Sequence, residues 1–151
     1  MIKIICVGKI KEKYLVSAIE EYRKRLSKYT KIEIIELPDY DINNKDVVLE
    51  KEKENILKHI NNKDYIITLE IEGSELSSEE FAKKIDKIFI TNPNITFIIG
   101  GSYGLHNQIK NMSDFKLSFS KFTFPHQLFR VILLEQIYRV YKINNNESYH
   151  K

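Results

Sequence analysis

The sequence predicts an α/β fold built on a mainly parallel sheet flanked by helices. Two observations carry that expectation. Short runs rich in β-branched residues (2–7, 31–37, 64–71 and 95–99) and one run of alternating apolar and polar residues (115–119) alternate with longer stretches whose apolar residues recur every three or four positions. The runs also stop at punctuating residues: Gly8, Pro38, Gly73 and Gly100.

Taken in order, IKIICV (2–7) has the near-continuous apolar character of a strand covered on both faces. Residues 13–28 place Tyr14, Ala18, Ile19, Tyr22 and Leu26 at helical spacing with charges between them. KIEIIEL (31–37) is a second strand, and PDYDINNKD behind it is turn-rich. Residues 46–61 form a charged helix with a thin stripe of Val48, Ile56, Leu57 and Ile60. DYIITLEI (64–71) is a third strand, ended by Gly73. Ser77 and Glu80 have the spacing of a capping box ahead of a helix carrying Phe81, Ile85, Ile88 and Phe89, broken at Asn92-Pro93. ITFII (95–99) is a fourth strand that runs into Gly100-Gly101-Ser102-Tyr103-Gly104. A short helix with Leu105, Ile109 and Met112 inward follows, then FKLSF (115–119) as a fifth strand. Pro125 precedes a helix over 126–142, with Phe129, Leu133, Ile137, Val140 and Tyr141 as its apolar side. A polar tail ends at residue 151.

One domain over 1–151 accommodates all of this, because a chain of that length buries a full core without cross-links. The net charge of +3 permits an RNA partner without requiring one. The single cysteine, Cys6, cannot form an internal disulfide and reads as a small buried hydrophobe. No run approaches a membrane span and no secretory signal is recognisable, so the expectation is a cytoplasmic protein. The four histidines are scattered without metal-ligand spacing, so no metal site is expected. A Ser-His-Asp nucleophile lacks its G-x-S-x-G elbow.

Parallel sheets bind ligands beyond the carboxyl ends of their strands. Three such ends stand out. Thr68-Leu69-Glu70 leads to Gly73. GGSYG combines three glycines in five residues, which allows close backbone approach to a ligand and equally makes a tight turn with none. Its spacing matches neither the dinucleotide fingerprint nor the phosphate loop. The third end, Phe119-Ser120-Lys121-Phe122-Thr123-Phe124-Pro125-His126, mixes hydroxyls with apolar walls suited to an adenine and a ribose, although each phenylalanine also fits a plain core position. Behind it, His126 and Arg130 are four apart, hence on one helix face, as are Glu135 and Arg139. Glu135 and Arg139 also fit a solvated ion pair. The terminal Tyr149-His150-Lys151 joins an aromatic ring, an imidazole and a cation, a set able to stack on and pair with RNA.

FIIGGSYGL, LSFSKFTFPHQLFRVILLEQIYRVYKI and the final YHK together resemble the RlmH family of SPOUT ribosomal RNA methyltransferases, and IKIICVGKIKEKY and ITLEIEG extend the likeness over the whole chain. The resemblance implies a SPOUT-type α/β fold with a carboxy-terminal trefoil knot, which general topology rules would not anticipate. It also implies a homodimer that uses S-adenosyl-L-methionine to methylate N3 of a pseudouridine in helix 69 of 23S ribosomal RNA on assembled ribosomes. The family's cofactor site maps onto Leu69, Gly100, Phe119, Ser120, Lys121, Phe122, Thr123 and Phe124. The sequence departs from the family pattern at Tyr103, usually Glu or Asn, at Asn146, usually Gly, and at Ser148, often Pro. Asn146 is the non-glycine type best able to keep a left-handed turn.

The expected catalytic groups are His126 and His150 as proton acceptors, Arg130 as electrostatic stabiliser or RNA anchor, and Tyr149 beside them in the tail. In the dimer, the tail of one subunit is expected to reach the cofactor pocket of the other. Lys9, Lys11, Lys13, Arg23, Lys24 and Arg25 are candidate phosphate contacts or plain surface charges. A SPOUT methyltransferase with another RNA target, or a ribosome-binding protein without catalysis, remains open as an alternative.

Overall fold

A computed structural model describes residues 1–151. Its elements alternate along the chain: β1 (Ile2–Val7), α1 (Lys13–Leu26), β2 (Ile32–Leu37), α2 (Lys45–Leu57), β3 (Asp64–Glu75), α3 (Ser78–Thr91), β4 (Asn94–Ile99), α4 (Asn107–Met112), β5 (Phe115–Ser118) and α5 (His126–Asn144). The strands form one sheet in the order β2-β1-β4-β3-β5, and every strand pairing is parallel. The expected parallel α/β architecture is therefore the observed one.

Alternation along the strands feeds two cores. Ile2, Ile4 and Cys6 of β1, with Ile95, Phe97 and Ile99 of β4, face α1, α3 and α5. Ile5, Ile66 and Ile98 point the other way, onto Ile56 of α2 and Ile109 of α4. Both faces of the sheet are covered, which is why β1 and β4 are apolar at almost every position. Each fully buried isoleucine contributes about 1.5–3 kcal/mol by leaving water. Cys6 is buried with these residues, and burial pushes its thiol pKa up to about 11. No helix is long and apolar enough to cross a membrane.

Helix α3 begins as the sequence predicts: the Ser77 hydroxyl accepts from the Glu80 amide at 3.1 Å, and the Glu80 carboxylate accepts from the Ser77 amide at 2.9 Å. In α1 the expected face is the buried one except at its start, where Leu15 takes the place of Tyr14. Leu15, Ile19 and Leu26 are inside, whereas Tyr14 is 70% exposed.

Strand β3 does not end before Gly73. It continues to Glu75, with an irregularity in which both Leu69 and Ser74 register against Leu117 of β5. Residues 70–73 thus bulge out between two paired segments. Gly73 permits this, since a Cβ there would stand 2.7 Å from the Lys116 carbonyl oxygen.

The carboxy-terminal tail is not a free end. Asn146 adopts φ 55° and turns the chain after α5, as a left-handed-tolerant residue should. Glu147 then accepts from Lys142 and from the Tyr29 hydroxyl, each at 2.8 Å. From there the tail doubles back along α5.

Candidate active site

The carboxyl ends of β3, β4 and β5 surround a cleft of about 450 Å³. Leu69 and the bulge Glu70–Glu72 form one wall. Ile99, Gly100 and Gly101 form the floor with Leu105, and the β5–α5 segment closes the third side. Its position and size are those of a small-molecule site on a parallel sheet.

Local interactions shape each wall. Gly100 has no room for a side chain, because a Cβ would overlap the carbonyl of Gly104. The turn folds back on itself there: the Gly104 amide donates to the Gly101 carbonyl at 3.0 Å, and Gly104 has φ 77°. On the bulge, the Glu70 carboxylate accepts from the Thr68 hydroxyl at 2.6 Å, and Thr68 is fully buried, so the acid is anchored at the cleft edge. After β5, Ser120 holds the loop by accepting from the Phe122 amide at 3.1 Å. Phe119 and Phe124 both pack on Phe129, with ring centroids 4.9 and 5.7 Å apart. Phe122 is instead 78% exposed at the rim.

Of the eight expected cofactor residues, Leu69, Gly100, Phe119, Ser120, Phe122, Thr123 and Phe124 line this one cleft. Lys121 is exposed and lies outside the lining. Glu70, Glu72 and Lys110 also line it. The lining therefore combines apolar walls and hydroxyls with two carboxylates and a lysine, a mixed donor and acceptor set for a small ligand with both apolar and charged parts.

His126 lines the cleft at the first turn of α5. Partial desolvation, and then the positive charge of Arg130, lower its pKa, so the imidazole is neutral at pH 7 and can accept a proton.

Arg130 itself is a correction. It is 1% exposed, donates to Glu36 at 2.9 Å and to the carbonyls of Val7 and Gly8 at 3.0 and 2.7 Å, and does not line the cleft. A guanidinium so engaged is not available to an RNA phosphate. Spacing placed His126 and Arg130 on one face correctly, but only packing shows that the ends of β1 and β2 cover the second turn.

Tyr149 and His150 lie along α5, away from the cleft of their own chain. The Tyr149 hydroxyl donates to Glu135 at 2.9 Å, with its ring edge-on to Tyr138. The His150 imidazole contacts Arg139 at 3.1 Å and Glu79 at 2.7 Å. Glu135 and Arg139 are not a solvated pair: Glu135 also accepts from Tyr22 at 2.8 Å, and the Arg139 guanidinium sits over the Tyr149 ring.

Sequence reasoning missed Glu52, a buried carboxyl group beside Gly101. The signal was present in the spacing, since Val48, Glu52 and Ile56 lie four apart on one helical line. No group of three or more His, Cys, Asp or Glu side chains is arranged to hold a metal ion.

A parallel α/β sheet with a glycine-floored ligand cleft and neither phosphate-loop nor dinucleotide spacing defines a class of enzyme scaffold that holds its ligand in loops at the strand ends. The family described as "Predicted SPOUT methyltransferase" matches residues 1–150. The chain belongs to the SPOUT methyltransferase family. It is 54% identical over 154 residues to the ribosomal RNA large subunit methyltransferase H of Caldicellulosiruptor bescii, with 100% of each chain covered. It is 50% identical over 157 residues to the protein of the same name from Clostridium botulinum, with 99% of each covered. Its fold is similar to that of a probable methylase family protein from Haemophilus influenzae, with a TM-score of 0.56 over 99% of this chain and 70% of the other. At 15% identity, that likeness speaks for the fold alone.

Proposed function

We propose that the chain is an S-adenosyl-L-methionine-dependent methyltransferase of 23S ribosomal RNA, acting in the cytoplasm on N3 of a pseudouridine in helix 69 of assembled ribosomes. The observation that carries the cofactor reading is the convergence of Leu69, Gly100 and the Phe119–Phe124 segment on one cleft. The names of the relatives support the ribosomal RNA substrate.

The residues present fit this cofactor. Phe119, Phe124, Leu69 and Leu117 supply apolar surface for an adenine. Ser120 and Thr123 would supply hydroxyls to a ribose, and the anchored Glu70 would offer a negative charge to a sulfonium or an ammonium. When bound, S-adenosyl-L-methionine supplies a methyl group activated on sulfur. The chain's task is to align the acceptor nitrogen, exclude water and take up a proton. His126 is the group in the cleft suited to hold that proton, because it is neutral at working pH.

The functional unit in this reading is a homodimer in which the Tyr149–Lys151 tail of one protomer completes the cleft of the other. Two features support it. The tail does not enter its own cleft, and apolar side chains (Ile71, Phe122 and Leu128) stand exposed at or beside the rim. Lys9, Lys11 and Lys13 lie beyond the carboxyl end of β1, the same edge of the sheet, where they suit RNA phosphates.

The test is transfer of a labelled methyl group from S-adenosyl-L-methionine to assembled ribosomes from a strain lacking this gene, followed by nuclease mapping. Label at the helix 69 pseudouridine is expected. Label elsewhere in the RNA would replace the substrate assignment and keep the chemistry. Absence of both label and cofactor binding would overturn the reading in favour of a non-catalytic ribosome-binding protein.

A further inference from the structure

Outside the cleft lining, Glu52 is a buried acidic residue without an ion-pair partner. It sits mid-helix in α2, 4% exposed, between buried Val48 and Ile56. It has no hydrogen-bond partner and no ion pair; the influences acting on it are burial and the charge of Asp39 just beyond β2. The Glu52 carboxyl oxygens are not among the fully buried unpaired atoms, so they keep a narrow contact with solvent while the rest of the side chain is packed away. That near-burial carries a desolvation cost, so the acid's persistence needs a reason.

Its surroundings supply one. A Cβ built on Gly101 would stand 3.1 Å from Glu52 Oε2, 3.5 Å from Oε1 and 3.1 Å from Val7 Cγ1. The carboxyl group therefore fills the space beside Gly101 and backs the turn that floors the cleft. Other charged groups nearby are engaged elsewhere. Glu50 pairs with Lys53 and His106 on the outside of α2, and Arg130 is held by Glu36. Asp39 and Arg130 flank Gly8, each with an atom within 3.8 Å of a Cβ placed there. No cation acts on Glu52 to compensate a negative charge.

Burial and Asp39 push the Glu52 pKa up to about 7. The neutral acid can pack against Gly101 and Val7, whereas the carboxylate draws water toward itself and repels Asp39.

We propose that Glu52 is a positioning residue of the cleft, whose neutral form holds the Gly100–Gly104 turn in its binding shape and whose ionisation loosens that turn and lowers cofactor affinity. This rests on the cofactor reading above for its effect on affinity, and on the packing alone for its effect on the turn.

Two measurements separate these. In ¹⁵N-labelled full-length protein without ligand, the amides of Gly100, Gly101 and Gly104 are expected to titrate with a midpoint near pH 7 and to stay flat in Glu52→Gln. Equal titration in both proteins, or none in the wild type, overturns the proposal whatever the cofactor proves to be. Calorimetric binding of S-adenosylhomocysteine is then compared from about pH 6 to about pH 8. Wild-type affinity is expected to fall about fivefold to tenfold more than that of Glu52→Gln, which controls for titration of His126 and of the ligand amine. Glu52→Ala, which removes the backing, is expected to bind weakly at every pH. A Glu52→Gln profile identical to wild type overturns the link to affinity, and failure of both proteins to bind S-adenosylhomocysteine overturns the cofactor reading instead.

Discussion

The Arg130 guanidinium donates to the Glu36 carboxylate at 2.9 Å while 1% exposed, joining the start of α5 to the end of β2. The same group caps the carbonyls of Val7 and Gly8 at the end of β1, and Glu36 also accepts from the Ile10 amide at 2.8 Å. One side chain thus ties together three elements behind the cleft.

Removing it by Arg130→Met is expected to destabilise the fold by about 3 kcal/mol, because two carbonyls lose their donor and the Glu36 charge loses its partner. Arg130→Lys should recover part of this, since one ammonium cannot span the same acceptors. Urea denaturation measures both. A change below about 0.5 kcal/mol for Arg130→Met would contradict the buttress role.

His126 carries a pH prediction. Burial and Arg130 hold its pKa below the usual value of 6.5, so it stays neutral further into acid. Methyl transfer should therefore decline only below about pH 6.5 on the acid side. His126→Gln should remove that limb, and Arg130→Met should move it upward by taking away a like charge. Stability follows the same sign: the unfolded chain binds the proton first, so the His126 contribution weakens as pH falls below about 6.5.

Glu52 has the opposite sign. In the unfolded chain it ionises near the ordinary carboxyl value of 4.5, whereas in the fold burial and then the charge of Asp39 push its pKa up to about 7. Its contribution to stability falls as pH rises across that window and is constant above it. Glu52→Gln should be more stable than wild type at pH 8 by about 1–2 kcal/mol and about equal at pH 4.5. Thermal unfolding across pH checks this, and a constant difference between the two proteins would refute it.

Deleting Tyr149–Lys151 should lower methylation of ribosomes at least about a hundredfold while leaving cofactor affinity within about twofold, because these residues lie outside their own cleft. The deletion also removes the Tyr149 contacts to Glu135 and Tyr138, at a cost of about 1–2 kcal/mol that unfolding curves will register. Full activity of the truncated protein would sink the tail's role.

Gly73→Ala forces a methyl group to 2.7 Å from the Lys116 carbonyl oxygen and 2.8 Å from its carbon. Backbone on both sides leaves little freedom to yield. The expected outcome is about 2–3 kcal/mol of destabilisation and weaker cofactor binding as the Glu70–Glu72 bulge moves. Cofactor affinity equal to wild type would separate the bulge from the site.

Much of this was legible along the chain because the signals are local. The alternating runs, the Ser77–Glu80 capping box and the Asn146 turn each depend on residues within a few positions of one another. The cleft segments were legible for a related reason: strand ends announce themselves by glycine, and the Phe119–His126 stretch is both apolar and hydroxyl-bearing. Tyr14 and Leu15 show the limit of reading residues singly: neighbours on a helix are about 100° apart, and it is Leu15 that stands in line with Ile19, Tyr22 and Leu26 at i, i+4, i+7 and i+11, leaving Tyr14 outside the buried stripe.

The sequence by itself determined the order of strands and helices, the parallel sheet and the segments that line the cleft, since periodicity and punctuation act over one or two turns of chain. Only the tertiary structure decided what long-range neighbours do to a side chain. It placed Arg130 against Glu36, 94 residues away, and turned an apparent substrate contact into a buried tie. It set Glu52 beside Gly101 and left it without a partner, and it laid Tyr149 and His150 along α5. The physical reason is that a charge is exposed, paired or silenced by the dielectric and the partners around it, and those come from strands and helices far away in sequence.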